Sequence, residues 1–174
     1  MKGSTFVLGA TLCLFAALLT GCWWYSFTGT SIPPSVRSIH IGYIDNKAPL
    51  VNPALSNLIT EQLKDKFTRL TKLRIVDEYD DWDLKIEGEI TGYGTQSIAV
   101  TASEVAAMDR LTITVKISFE NTADPSQSFE NKQFSKFSDY SSSRSLSEVE
   151  SSLVSEILEQ LVEEIFNAAV ASNW

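Results

Sequence analysis

The clearest pattern in the chain is a strict alternation of apolar and polar residues over positions 110–120. Leucine, isoleucine, valine and phenylalanine take every second position, with threonine, serine and charged residues between them. Successive side chains of a strand point to opposite faces, so this run predicts a strand with one buried face and one face open to water. Such a strand is typical of an antiparallel sheet that is covered on one side.

Four further segments predict strands. Apolar and charged residues alternate cleanly over residues 84–90, with the apolar ones pointing inward. This strand is expected to continue toward Val100, and Gly92 and Gly94 allow a bend or bulge on the way. The other three are predicted at residues 36–44, 73–76 and 129–137. In the first of them, Ile39, Ile41 and Tyr43 are expected to share one face.

Two segments carry the three- and four-residue spacing of amphipathic helices. The first opens at Asn52-Pro53, an N-cap followed by a proline pre-set for the first turn. The second covers residues 145–174, with a capping box at residues 147–150 or, alternatively, at Ser145 and Glu148. Its wide apolar stripe predicts burial against the sheet, and a partner's groove is the alternative. The apolar face of the first helix is expected to comprise Leu55, Leu58, Ile59, Leu63, Phe67 and Leu70.

The order of these elements is β-α-β-β-β-β-α. It predicts an α+β fold of two layers, in which a mostly antiparallel sheet of four to five strands carries both helices on one face. Residues 36–174 are long enough to form this as a single domain.

The N-terminus has the layout of a bacterial lipoprotein signal. Lys2 precedes an uncharged apolar run over residues 6–19, and Thr20 and Gly21 then lead to Cys22. The run is shorter than the about 20 residues that span a bilayer. A buried core helix, the other alternative, would not need small residues and a cysteine at its end. We therefore predict that residues 1–21 are a cleaved signal peptide and that Cys22 is acylated.

Residues 22–35 are predicted to form the acylated tether, a name we keep for this segment. Four aromatic residues lie in it, and Ile32-Pro33-Pro34 excludes a helix. Aromatic side chains beside a lipid anchor are favoured at the membrane interface. Packing on the domain or on a partner is equally compatible with the sequence. The four aromatic residues are Trp23, Trp24, Tyr25 and Phe27.

The net charge and the cysteine content reduce the number of function classes to consider. The whole chain carries 14 Lys and Arg against 22 Asp and Glu, a net charge of −8, which becomes −9 once Lys2 is removed. Nucleic-acid binding depends on cations that neutralise phosphates, so this balance argues against it. Cys13 leaves with the signal peptide and Cys22 is acylated, so no disulfide is expected.

No constellation for catalysis or metal binding is visible. His40 is the sole histidine of the sequence and is expected to be a surface residue of its strand. An acidic cluster at residues 77–83 lacks the glycine and terminal glutamate of a calcium loop, so we expect a solvated loop. The protein is therefore predicted not to be an enzyme, and no cofactor is expected beyond the covalent lipid on Cys22.

Several motifs, taken in order, resemble the LptE family of outer-membrane lipoproteins, in particular its compact branch. They cover nearly the whole mature chain. The motifs are Gly21-Cys22, Tyr25-Ser26-Phe27-Thr28-Gly29, Ile32-Pro33-Pro34, Asn52-Pro53, Glu87-Gly88-Glu89-Ile90-Thr91-Gly92-Tyr93 and Arg110-Leu111-Thr112-Ile113-Thr114-Val115.

The resemblance implies a non-enzymatic subunit that plugs and helps assemble the β-barrel LptD and assists delivery of lipopolysaccharide to the outer leaflet. It implies an outer-membrane location on the periplasmic side and in the barrel lumen, as part of Gram-negative envelope biogenesis. Trp23 stands where an aspartate would signal inner-membrane retention. The candidate lipopolysaccharide contacts are Arg110, Arg144, Lys116, Lys132 and Lys136.

Two other classes stay open at this point. The chain could be an envelope lipoprotein that holds another lipid or glycan between helices and sheet, or an accessory subunit of a different secretion machine. The first alternative predicts a pocket in the domain, and both predict that no LptD-type barrel accompanies the protein.

Overall fold

The computed structural model describes residues 32–50, 52–98 and 107–171. The predicted signal peptide, Cys22 and the tether up to residue 31 lie outside these ranges. A 3₁₀ turn, Pro125–Gln127, follows β5, and a π-helical turn, Asn167–Ala171, follows α2. The elements are β1 (Ser38–Ile41), β2 (Asp45–Asn46), α1 (Leu55–Leu70), β3 (Arg74–Val76), β4 (Leu84–Ile98), β5 (Met108–Asn121), β6 (Phe129–Ser141) and α2 (Leu146–Phe166).

The described strands form one mixed sheet in the order β3-β1-β4-β5-β6, and β2 pairs with β4. Long antiparallel ladders join β4, β5 and β6, whereas β1 runs parallel to β3 and β4. The parallel pairing of β1 and β3 follows from the crossover through α1 that connects them. The α+β class is confirmed, and the strand count is six rather than four to five.

The extra strand arises because the predicted strand at residues 36–44 is split into β1 and β2. Ile39 and Ile41 are buried as predicted, but Tyr43 is 57% exposed. The chain leaves the ladder after Ile41, and Ile44 turns inward in place of Tyr43. Its backbone N–H donates to Thr60 Oγ1 of α1 at 3.1 Å.

The core lies between the sheet and the two helices. We call the sheet face that packs on the helices the inner face and the opposite one the outer face. The helices contact each other through an edge-to-face pair of Phe67 and Phe166, whose ring centroids are 5.0 Å apart. Every apolar residue of the predicted alternation in β5 is buried: Leu111, Ile113, Val115, Ile117 and Phe119.

Two residues of the predicted apolar face of α1 are exposed instead. Leu58 is 43% and Leu70 49% accessible, whereas Leu55, Ile59 and Phe67 are buried. The buried residues recur every four positions, and Leu58 lies to one side of their stripe. Leu70 is the last residue of the helix, beyond the part that the neighbouring elements cover.

The structure confirms the predicted cap of the second helix but moves that of the first. At α1 the N-cap residue is Ala54, which has no side-chain cap, and Asn52 Oδ1 accepts the N–H of Ala54 at 3.0 Å in the turn before the helix. At α2, the capping box uses Ser145 and Glu148, the second of the two predicted options. The backbone N–H of Ser145 donates to Glu148 Oε2 at 3.0 Å. Of the helices in the described ranges, none is both long and apolar enough to cross a bilayer.

Candidate functional site

Both helices lie on the inner face, so within the described chain no helix covers the outer face. Thr112, Thr114 and Lys116 of β5 are half-exposed there, as the alternation predicts. The hydroxyls of Thr114 and Ser135 of β6 lie 2.9 Å apart. This face is therefore mostly polar, and open clefts border it around Glu87, Ser118 and Asn131. An open polar surface of this kind is suited to contact with another protein.

One charged pair with an aromatic platform stands out on the outer face. Arg110 donates from Nε and Nη2 to the two carboxylate oxygens of Asp139, at 2.7 and 2.9 Å. Its guanidinium also stacks on Phe137, 3.5 Å from the ring centroid, and Phe137 is 47% exposed. The pair lowers the pKa of Asp139 and raises that of Arg110, since each charge stabilises the other. Arg110 is thus held in place, but Asp139 largely neutralises it.

The other predicted lipopolysaccharide contacts are spread around the molecule. Lys116 shares the outer face with Arg110, opposite Glu89 of β4. Lys132 and Lys136 share the inner-face side of β6, and Arg144 is exposed in the turn before α2. These five residues therefore form no single basic patch, and their contact with lipopolysaccharide stays a prediction.

Two of those lysines have partners within the domain. Lys132 lies over the rings of Phe129 and Phe134, with its Nζ 5.1 and 5.4 Å from their centroids. Lys136 pairs with Glu164 of α2 at 2.8 Å. These contacts hold both lysine ammonium groups against the domain itself. An anionic ligand would therefore have to replace the present partners of the lysines or bind alongside them.

A β-bulge brings Tyr93 to the inner face. The β4–β5 register shifts between Ile90 and Gly92, so that Tyr93 lies opposite the buried Ile113. The bulge predicted from Gly92 and Gly94 is thereby confirmed. Without the extra residue, glycine rather than tyrosine would face the helices at this level.

The Tyr93 hydroxyl donates to the Glu150 carboxylate in the first turns of α2. Asn52 Nδ2 donates to the same carboxylate oxygen at 2.8 Å. Burial, with the neighbouring Glu150 carboxylate second, raises the pKa of Tyr93 to about 12. The phenol therefore stays protonated at neutral pH, and the cluster serves to join β4, the turn before α1 and α2.

The acidic loop contains one structural carboxylate. Asp83 accepts the backbone N–H groups of Arg37 and Ser38, at 2.7 and 3.0 Å, and the Ser38 hydroxyl at 3.0 Å. The Arg37 N–H above all, with both Ser38 bonds, lowers the pKa of Asp83. The remaining acidic residues of the cluster are exposed, as predicted: Asp77, Glu78, Asp80 and Asp81.

His40 was expected on the surface, and that prediction was wrong. It is only 9% exposed, because β3 pairs with β1 and covers it. Its Nδ1 lies 3.1 Å from the Val76 carbonyl oxygen, a local contact within the sheet. Over the ranges that the structure describes, no group of His, Cys, Asp and Glu is arranged to hold a metal ion.

The clefts of the domain lie at its surface. One of about 590 Å³ lies beside the start of β6 and is lined by residues such as Lys85, Glu120 and Asn131. Another, of about 420 Å³, lies between α1 and α2 and is lined by Leu58 and Val154 among others. Between the helices and the sheet, by contrast, facing side chains are fully buried. The described part of the chain thus outlines no lipid-sized pocket in its core.

The chain is similar to known proteins in sequence pattern and in fold. The model of the LptE family, described as lipopolysaccharide-assembly, matches residues 36–169. No curated protein matches the sequence. A hypothetical protein of Chlamydia trachomatis has the same fold, with a TM-score of 0.51 and 7% identity over 76% of this chain and 97% of that one.

Two structures with lower scores are lipoproteins. A minor lipoprotein of Acinetobacter baumannii has a TM-score of 0.42 and 14% identity, covering 75% of this chain and 90% of its own. Rare lipoprotein B of Shewanella oneidensis has a TM-score of 0.47 and 11% identity, covering 74% and 89%. The family match runs from the residues before β1 into the π-helical turn after α2. This chain therefore belongs to the LptE family of lipopolysaccharide-assembly proteins.

Proposed function

We propose that this chain is an outer-membrane lipoprotein that plugs and helps to assemble an LptD-type β-barrel. In that role it assists delivery of lipopolysaccharide to the outer leaflet. The observation that carries the proposal is the family match over residues 36–169, which includes the regular strands and helices of the described chain. The family is non-catalytic, in keeping with a subunit that acts by occupying and supporting its partner.

The surface of the domain supports a partner subunit. Its outer face combines hydroxyl groups, a glycine row on β4 and a self-neutralised pair, Arg110 and Asp139. The end of this face around Arg110 can be buried against a polar barrel lumen without leaving a strong unpaired charge. The filled core argues against the alternative in which another lipid is held between helices and sheet.

The predicted anchor supplies the location. Two or three acyl chains on Cys22 hold a protein firmly in a membrane, whereas one chain binds only marginally. Trp23, in place of a retention aspartate, favours sorting to the outer membrane. The tether up to Pro34 and Ser35 then leads to β1, so the domain stays close to its partner on the periplasmic side.

Contact with lipopolysaccharide is proposed as a secondary role. The net charge of −8 opposes broad adhesion to a polyanion. Local cations would have to provide the contact. Three candidates have no side-chain ion pair in the described chain: Lys116, Arg144 and Lys132, the last of which lies over two phenyl rings.

Affinity purification from detergent-solubilised envelopes tests the proposal. Recovery of a large β-barrel in near-equal amounts supports it, and its absence favours the two alternative classes. Cys22→Ala should abolish the acyl chains that mass spectrometry detects on the unmodified protein. Cys13→Ala is the matched control, because Cys13 is predicted to leave with the signal peptide.

A further inference from the structure

Half of the longest strand has a free edge. On the side of β4 away from β5, β1 pairs with residues 84–86 and β2 with Glu89 and Ile90. From residue 91 to 98, no strand of the described chain lies on that side, although β5 pairs with β4 along this whole stretch. We call residues 91–98 the free edge of β4.

The direction of the backbone groups along this edge follows from one hydrogen bond. The N–H of Ser142 donates to the carbonyl of Ala107 at 3.0 Å, just beyond the paired ends of β5 and β6. Ala107 therefore points its backbone groups at β6. Because these directions alternate along a strand, Asp109, Leu111 and Ile113 also face β6, and the residues between them face β4.

The register transfers this alternation to β4. Gly94 and Gln96 lie opposite Thr112 and Arg110, the residues that bond toward β4. The backbone N–H and C=O groups of the residues between and beside them therefore point away from β5. The N–H and C=O groups of Tyr93, Thr95 and Ser97 are thus directed outward along the free edge, in the spacing that an added strand would use.

This edge lacks the features that usually protect sheet edges. Residues 91–98 include no charged residue and no proline, and the bulge at Thr91 precedes rather than interrupts the regular part. The other two edges differ. β3 is three residues long, and β6 carries lysines and acidic residues and has Asn131 at a φ of 51°. Charges, short strands and irregular backbone are how proteins prevent strand addition, so of these three edges of the described sheet the free edge of β4 is the one open to it.

We propose that the free edge of β4 binds an extended segment of the barrel partner by strand addition. The identity of the partner rests on the function proposed above. Unpaired backbone donors and acceptors at this spacing are complementary to an extended polypeptide and to little else. β2 already pairs with the same edge at Glu89 and Ile90, so the added segment continues an existing row and spans at most about eight residues, or about 27 Å.

The space beside Gly94 predicts one feature of the added segment. A Cβ built at Gly94 meets nothing within 4 Å, so the outer face is open beside it. The exposed ring of Phe137 lies in the same row, beyond Thr112. A large apolar or aromatic side chain of the partner, placed beside Gly94, would fill this space as cross-strand neighbours do.

Amide hydrogen exchange on the complete lipoprotein in detergent, with and without the barrel, tests the inference without mutation. Exchange at Tyr93, Thr95 and Ser97 should slow at least about tenfold in the complex. Ser135 and Phe137, which point outward from the β6 edge by the same alternation, are the internal control and should not change. Unchanged exchange on β4, or equal slowing on β6, would overturn the inference.

A proline scan with matched controls adds a second test. Thr95→Pro removes one outward N–H and leaves the β4–β5 ladder intact, whereas Thr95→Val keeps that N–H. Thr95→Pro should reduce barrel recovery about tenfold and Thr95→Val should not. If Thr95→Pro fails to fold, as a lost thermal transition would show, the exchange experiment decides.

The outcomes separate this inference from the function on which it rests. If the unmodified chain recovers the barrel and folded Thr95→Pro recovers it equally, strand addition is refuted and the proposed function stands. If the unmodified chain recovers no barrel, the proposed function fails. If the three amides become protected in the chain alone as its concentration rises, a second copy occupies the edge and the assignment to the barrel is wrong.

Discussion

Replacing Asp83 with alanine should weaken the attachment of the first strand to the sheet. Asp83 precedes β4 and accepts three hydrogen bonds from Arg37 and Ser38, which lead into β1. Ser38 is buried, at 5% exposed, so water cannot easily replace the carboxylate as the acceptor of its N–H. An unsatisfied buried donor costs about 1–3 kcal/mol, and the exposed Arg37 N–H costs less. We expect a loss of about 2–3 kcal/mol in the free energy of unfolding.

The effect should depend on pH in one direction. The hydrogen bonds lower the pKa of Asp83 below its ordinary value of about 3.8. The folded state therefore favours the carboxylate, and the stabilisation is complete above that value. It is lost as pH falls from about 4 through the lower pKa of the folded protein. The difference between wild type and Asp83→Ala should be constant from pH 7 to 5 and narrow below pH 4.

Urea unfolding of the purified protein, followed by tryptophan fluorescence, measures both effects. Asp81→Ala is the matched control, since it removes an exposed carboxylate from the same loop. The backbone carbonyl of Asp81, which accepts the Ser38 hydroxyl at 3.4 Å, is kept in this variant. It should change the free energy of unfolding by no more than about 0.5 kcal/mol. An Asp83→Ala protein as stable as this control, or a difference that persists unchanged at pH 3, would refute the reasoning.

Three other predictions concern the sheet and its surfaces. Gly88→Ala should destabilise the domain by about 1–3 kcal/mol in the same assay, because a Cβ there would collide with the backbone of β5. Gly94→Ala, where the space is open, should be neutral or slightly stabilising, and equal effects would contradict this packing. Tyr93→Phe should cost about 1 kcal/mol, and the wild-type spectrum should show one phenol that titrates near pH 12, a titration that Tyr93→Phe removes. Arg110→Glu combined with Arg144→Glu should weaken lipopolysaccharide binding in vitro, and unchanged binding would remove both residues from the contact set.

The long, regular elements could be predicted because one local pattern determines each of them. The alternation in β5 follows directly from which side chains are buried, and the structure confirms it. The capping box of α2 follows from the free N–H groups at a helix start, and it is confirmed as well. The short strands were harder. The position of Tyr43 and the burial of His40 depend on where β1 ends and on β3 lying beside it, which no local alternation contains.

The contacts of the candidate site could not be predicted from the sequence, for a related reason. Arg110 is 29 residues from Asp139, and Tyr93 is 57 residues from Glu150. The family resemblance implies a role for Arg110, but the partner of Arg110 emerges only from the β5–β6 register. The bulge that Gly92 and Gly94 predict is the local signal for the inward position of Tyr93, but the sequence does not say at which residue the bulge occurs.

Native mass spectrometry of the complex purified from detergent-solubilised envelopes tests the central claim most directly. The account predicts one copy of this chain, beginning at an acylated Cys22, bound to one copy of a large β-barrel protein. A chain that retains Met1 without a lipid, or one that is recovered with no barrel, would contradict it.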